Sequence, residues 1–237
     1  ALSQVFPSQT PNSNEPQVFT FGSFVPQLQG TAQATQFNAT GGTVVSLDSN
    51  GAVTQVNRNV TSVFEALPKP ILSGKFSAKG FRLGGSASVK LSDGSVLQTI
   101  IVTFANQVHL PHPGATSVVL FRSYDSGLNW KFVTILADAK DFPDSEEGPN
   151  EMDMTILSDE KTLLAVIRID GGDGPETHPY RNYVQMTSID DGSTWSKPVS
   201  MPGTIGCARP RLLRVGKALL LSGGRMRNAN TSDVLLW

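Results

Sequence analysis

Apolar residues gather along this chain in short runs bounded by Gly, Asp, Asn, Ser or Pro, and helical i, i+3, i+4 spacing is nearly absent. Residues 43–56 (TVVSLDSNGAVTQV) predict a hairpin that turns at Asn50-Gly51. Further on, one pattern recurs: LSDGSVLQTII at 91–101, LSDEKTLLAVI at 157–167 and RVGKALLL at 214–221, each a tight polar turn followed by an apolar strand. The first two are followed by the same eight-residue pattern S-x-D-x-G-x-x-W, as SYDSGLNW at 123–130 and SIDDGSTW at 188–195. Asp93 precedes Ser123 by 30 residues and Asp159 precedes Ser188 by 29, so the unit repeats with a period of about 65.

The chemistry of the S-x-D-x-G-x-x-W turn explains its composition. An Asp carboxylate can accept backbone N–H groups within the turn, as in an Asx-turn. Gly127 and Gly192 permit positive φ where the chain reverses, and Trp130 and Trp195 are expected to fill the space between neighbouring strands. Strand-turn units at a fixed period predict a propeller or a solenoid. About three units are present, and a third such turn is expected near position 245, past Trp237. A ring of blades needs more units to close, so the chain is read as the N-terminal half of a larger propeller. Residues 1–35, rich in Pro, Gln, Ser, Thr and Asn, are read as an extended leader or linker. Residues 36–70 form an N-terminal hairpin segment ending in Leu67-Pro68-Lys69-Pro70, and residues 71–237 form the partial propeller.

Composition narrows the function classes. The 237 residues are 39% hydrophobic and 16% charged with a net charge of −1 and no block of like charges, which argues against nucleic acid or an anionic lipid surface as partner. No run of about eighteen apolar residues is present to span a membrane. The start of the chain lacks the basic n-region and apolar stretch of a secretory signal. A single cysteine, Cys207, excludes an intrachain disulfide framework, and His109, His112 and His178 are too scattered to predict a metal centre. The sequons at Asn38, Asn59 and Asn230 permit N-glycosylation if the protein is secreted or enters the endomembrane lumen, but they do not fix the compartment. Composition leaves the oligomeric state open.

The two S-x-D-x-G-x-x-W turns resemble the Asp boxes of sialidases (neuraminidases) and other bacterial-neuraminidase-repeat propellers, in which these turns are structural. The resemblance covers about residues 70–237 and implies an all-β, six-bladed sialidase-like β-propeller, with about three blades present here. Phe81-Arg82-Leu83-Gly84 is similar to the family's F-R-I-P segment, with Leu83-Gly84 where Ile-Pro is usual. Asn150-Glu151 followed, 17 residues after the glutamate, by Arg168 resembles the segment that carries a catalytic glutamate and a second arginine. LLLSGGRMR at 219–227 resembles the strand that delivers a third arginine, Arg225 or else Arg227. The resemblance therefore implies that Arg82, Arg168 and Arg225 bind a substrate carboxylate, a planar fork meeting a planar acid. Glu151 would be the base that activates a tyrosine nucleophile lying past Trp237. No metal or organic cofactor is implied.

One departure bears on turnover. The family's general acid, an aspartate, is expected in the loop TFANQVHLPHPGATSVV (103–119), which contains no Asp, Glu or Arg. Asn106 and Gln107 stand near the expected position, and His109 or His112 is the remaining group there able to carry a proton. Two functions follow as expectations: an exo-α-sialidase-type glycosidase releasing terminal sialic acid or a related acidic sugar from glycoconjugates, or a non-catalytic propeller that binds sialylated or acidic glycans. Arg209 and Arg211, flanking Pro210, are read as braces of the third unit, with a place for one of them in the pocket left open.

Overall fold

The computed structural model describes residues 17–20, 26–27, 33–34, 37–47, 52–65, 67–69, 71–72, 81–82, 87–105, 111–112, 114–125, 127–171, 181–203, 205–228 and 231–237. Side chains are described at 52–56, 61–65, 67–69, 71 and, within the ranges above, from 87 to 224 and from 233 to 237. The fold is all-β, and the described residues include no helix long and apolar enough to cross a membrane.

Three antiparallel meanders follow one another along the chain. The first contains β7 (Phe81–Arg82), β8 (Ser88–Lys90), β9 (Val96–Val102), β10 (Ser117–Ser123) and β11 (Asn129–Ala137), with β7 and β8 both paired to β9. The second runs β12 (Gly148–Ile156), β13 (Leu163–Asp170), β14 (Val184–Ser188), β15 (Val199–Ser200), in that spatial order. The third runs β16 (Ala208–Val215), β17 (Ala218–Asn228), β18 (Thr231–Leu236). The repeated turns join β8 to β9, β12 to β13 and β16 to β17. Gly94 and Gly216 take φ of 85° and 60° there, and Glu160 takes φ 58° in the second sheet.

Five of the remaining strands, together with β6 (Ile71–Leu72), precede these sheets. Short strands β1 (Gln17–Thr20), β2 (Pro26–Gln27) and β3 (Gln33–Ala34) lie in the segment read as a leader; β1 and β2 pair with β4 (Phe37–Leu47), and β3 pairs with β6. The hairpin of β4 and β5 (Val53–Phe64) extends beyond the 43–56 expected, and its turn at 48–51 lies outside the described residues. The end of β5 pairs in parallel with β11 through Asn129↔Val63 and Trp130↔Phe64, adding a strand to the edge of the first sheet. Phe64, fully buried, stacks on Trp130 at a centroid distance of 5.8 Å and meets Phe121 edge-on at 5.1 Å.

Period-2 alternation explains how the sheets pack. On β9, Val96, Ile100 and Val102 join Phe64, Leu67, Ile71 and Trp130 in one core cluster, whereas Leu97 turns to the second sheet. On β13, Leu163, Ala165, Ile167 and Ile169 pack with the first sheet, and Leu164 and Val166 pack with Leu221 and Tyr183 toward the third. Because β13 is buried on both faces, its residues 163–167 read as a continuous apolar run rather than an alternation.

The two S-x-D-x-G-x-x-W turns, joining β10 to β11 and β14 to β15, have the same hydrogen bonds. Ser123 Oγ donates to Asp125 Oδ1 and accepts Gly127 N–H at 2.8 Å, while Asn129 N–H reaches Asp125 at 2.8 Å and Trp130 Nε1 reaches the Gly127 carbonyl at 2.9 Å. Ser188, Asp190, Gly192, Thr194 and Trp195 repeat the set at 2.8–3.0 Å. The glycine φ values are 86° and 80°. Burial alone would raise the Asp125 pKa, but hydrogen bonds from Asn129 and Ser123 outweigh it and hold the carboxyl below its ordinary value.

Candidate functional site

Each sheet is irregular at the same place. Counting from the residue that closes the first hairpin, Val96, Leu163 or Ala218, the fifth residue onward is Ile101, Arg168 or Gly223. Opposite Ile101 stands Arg82, at the end of the short strand β7. Opposite Arg168 the pairing skips from Pro149 to Met152, so Asn150 and Glu151 bulge out against one residue. Opposite Gly223 it skips from Ala208 to Arg211, and Arg209 and Pro210 bulge likewise. A side chain at Gly223 would run into the Tyr183 hydroxyl and lie 3.1 Å from Cys207 Cβ, so the bulge sits over a position that only glycine fills without displacement.

The bulges of the second and third sheets face each other, and their side chains interlock. Arg168 donates from Nη1 to Glu151 Oε2 at 3.0 Å and from Nη2 to Asp170 Oδ1 at 2.9 Å. Asn150 Nδ2 holds the other Asp170 oxygen at 2.7 Å. Arg209 crosses from the third sheet and takes Glu151 twice, through its main-chain N–H to Oε2 at 2.9 Å and its Nε to Oε1 at 3.1 Å. Arg209 adopts φ 51°, a left-handed conformation unusual for a residue with a side chain and more so before proline. Two residues along β12, Asp153 Oδ2 accepts Leu212 N–H at 2.8 Å, and burial raises its pKa against the pull of that bond and of Arg211. Carboxylates of β12 thus take the place of strand carbonyls in binding the N–H groups of β16.

Burial divides the group into a base and an open arm. The side chains of Asp170 and Arg168 are 1% and 8% exposed, Glu151 is 19% exposed, and Arg209 is 64% exposed. Tyr183 is buried beneath them with its hydroxyl on the Ala208 carbonyl, and burial, then Cys207, pushes its pKa up. It serves as a packed donor, not as an ionisable group. Among the described residues no set of three His, Cys, Asp or Glu is placed to hold a metal ion.

Of the residues singled out in the sequence, the structure brings Glu151 and Arg168 into direct contact. Arg82 and Arg225 are placed by their backbones alone, Arg82 opposite Ile101 and Arg225 opposite Asp233; their side chains, and that of Arg227, lie outside the described residues. Asn106, Gln107, His109 and His178 also lie outside them, and His112 is half-buried in the loop before β10, its carbonyl accepting Ala115 N–H. Asp170, Asn150 and the grip of Arg209 on Glu151 were not foreseen. The R-x-D pattern of Arg168 and Asp170 inside an apolar strand was the available signal, since a buried charge requires a partner.

No family model and no curated protein matches this chain. Solved structures do align with it. An alpha-L-arabinanase from Penicillium chrysogenum, complexed with arabinobiose, is 19% identical over 64% of this chain and 44% of its own, with a TM-score of 0.45. A protein of unknown function from Dyadobacter fermentans is 18% identical over 89% of this chain and 53% of its own, with a TM-score of 0.47. A GH32 beta-fructofuranosidase from Bombyx mori is 14% identical over 86% of this chain and 43% of its own, also with a TM-score of 0.47. The chain spans about half the length of these structures.

Proposed function

We propose that this chain is part of a six-bladed, sialidase-like propeller glycosidase that removes a terminal acidic sugar, a sialic acid or a related one, from a glycoconjugate. The observation that carries the reading is the pair of facing bulges that gathers Glu151, Arg168 and Arg209 at one end of adjacent sheets. A carboxylate held by donors on both oxygens is fixed in one place and orientation, which is the geometric requirement on a general base. In this reading Glu151 is the base that draws the proton from a tyrosine nucleophile, and an arginine gathered at the site meets the sugar's carboxylate, a part that the resemblance gives to Arg82, Arg168 and Arg225. The three meanders and their two Asp-box-like turns support the propeller, and the chain contributes three of its blades.

A second reading has support of its own. The loop 103–119 lacks any Asp or Glu to protonate a leaving group, which favours a propeller that binds acidic glycans without cleaving them. The intact protein assayed with a fluorogenic α-sialoside separates the two. A glycosidase releases the fluorophore, and Glu151→Gln lowers kcat by at least 100-fold. Saturable binding of a sialylated glycan with no product from pH 4 to 8, at about 1 mM substrate or below, selects the binding module. Neither binding nor product rejects both.

A further inference from the structure

We infer that Arg209 is the residue that reads the acidic group of the sugar, with Arg168 positioning Glu151 behind it; the inference rests on the function proposed above. The nitrogens each guanidinium commits within the site separate the two arginines. Arg168 is 8% exposed and already lies between two carboxylates, Glu151 at 3.0 Å and Asp170 at 2.9 Å. Both ends of its fork, Nη1 and Nη2, are thus taken by carboxylates of the protein, and neither is open to a carboxylate arriving from outside.

Arg209 is arranged in the opposite way. It is 64% exposed, and its anchoring to Glu151 uses the main-chain N–H and Nε, the base of the guanidinium. The two Nη groups, the ends of the fork that matches a carboxylate, meet no acceptor among the described residues. An arginine pinned at its base and open at its fork has lost part of its rotamer freedom before any ligand arrives, which lowers the entropy cost of binding.

Two further observations point to a purpose for this placement. Arg209 holds a left-handed φ of 51° immediately before a proline, a conformation maintained by the bulge and by Glu151. Strain of this kind persists where surrounding structure imposes it, and it concentrates at ligand sites. The repeat also places the Arg209-Pro210 bulge in register with Arg82 and with the Asn150-Glu151 bulge, each opposite the same position of its sheet's second strand. Arg225, two residues beyond Gly223, instead corresponds to Asp170.

The test uses the intact protein, a sialic acid methyl glycoside, and the same glycoside with its carboxylate as a methyl ester, with binding measured by calorimetry. The wild type should prefer the acid over the ester by at least tenfold. Arg209→Gly removes the fork, keeps the N–H that Glu151 accepts and suits the positive φ, so it should bind acid and ester alike without a fall in Tm. Arg209→Lys, a charge without a fork, should keep part of the preference. Retention of the full preference by Arg209→Gly overturns the inference and leaves the proposed function standing, because another cation then reads the acid. Equal wild-type binding of acid and ester overturns both the inference and the acidic-sugar reading, and wild-type binding of neither overturns the inference together with the proposed function.

Discussion

The guanidinium of Arg168 bridges Glu151 and Asp170, at 3.0 and 2.9 Å, inside a strand whose residues are otherwise mostly apolar and buried throughout. Without the cation, Asp170 keeps its place with one oxygen on Asn150 and loses the charge that offsets its own. Breaking a buried pair by removing one partner costs about 3–5 kcal/mol. Arg168→Met is therefore expected to destabilise the protein by about 3 kcal/mol or more, read from urea denaturation. Adding Asp170→Asn should recover part of that loss. A single variant within 1 kcal/mol of wild type would mean that water reaches this cluster.

Gly192 tests how closely the second repeated turn packs on the first sheet. A methyl group there would lie 2.7 Å from Leu97 Cδ1, and the residue holds φ 80°. Gly216 offers a control, since it has φ 60° and a methyl group added to it would meet nothing within 4 Å. Gly216→Ala should cost about 1 kcal/mol, the backbone effect alone. Gly192→Ala adds overpacking of roughly 1–3 kcal/mol. Equal losses of stability in the two variants would show that Leu97 moves aside freely.

The sequence revealed the parts of this molecule that depend on local chemistry. Asp125 and Asp190 accept N–H groups from within their own turns, so each turn could be recognised from eight consecutive residues. Glu151 and Arg168 were singled out through a resemblance between segments, for separate roles, and their pairing was not read from it. Neither bulge was legible, because a bulge is a mismatch between two strands and leaves no periodic mark on either one. Arg209 likewise reads as an ordinary strand arginine until the third sheet is set beside the second, since its partner lies 58 residues earlier. The edge strand contributed by β5 was missed for a similar reason: parallel pairing with β11 joins residues about 65 positions apart, and no turn announces it.

Acid should destabilise the protein through the repeated turns. Hydrogen bonds from Thr194 and Ser188 lower the Asp190 carboxyl from 3.8 to about 2, and Thr162 and Lys161 do the same for Asp159. The unfolded chain therefore binds protons before the folded one does, and the stabilisation from these groups, complete above pH 3.8, is lost as the pH falls toward 2. Asp190→Asn should flatten the denaturation midpoint across that window and leave the protein less stable than wild type above it. An unchanged slope between pH 4 and 2 would show that the turn does not hold its carboxylate charged in solution.

Asp153 should act in the opposite sense. Burial raises its pKa above 3.8 even though Leu212 and Met154 donate N–H groups to it and Arg211 stands nearby. Between 3.8 and its folded value the native state holds a proton that the unfolded chain has released, so stability falls as pH rises through that window and then levels off. Asp153→Asn keeps an oxygen for Leu212 N–H, loses the acceptor of Met154 N–H and removes the charge. It should abolish this fall while leaving the acid loss caused by Asp190 and Asp159 in place. Urea denaturation of both proteins from pH 3 to 7 measures the difference. A variant whose stability still falls across that window would mean that the fall does not come from Asp153.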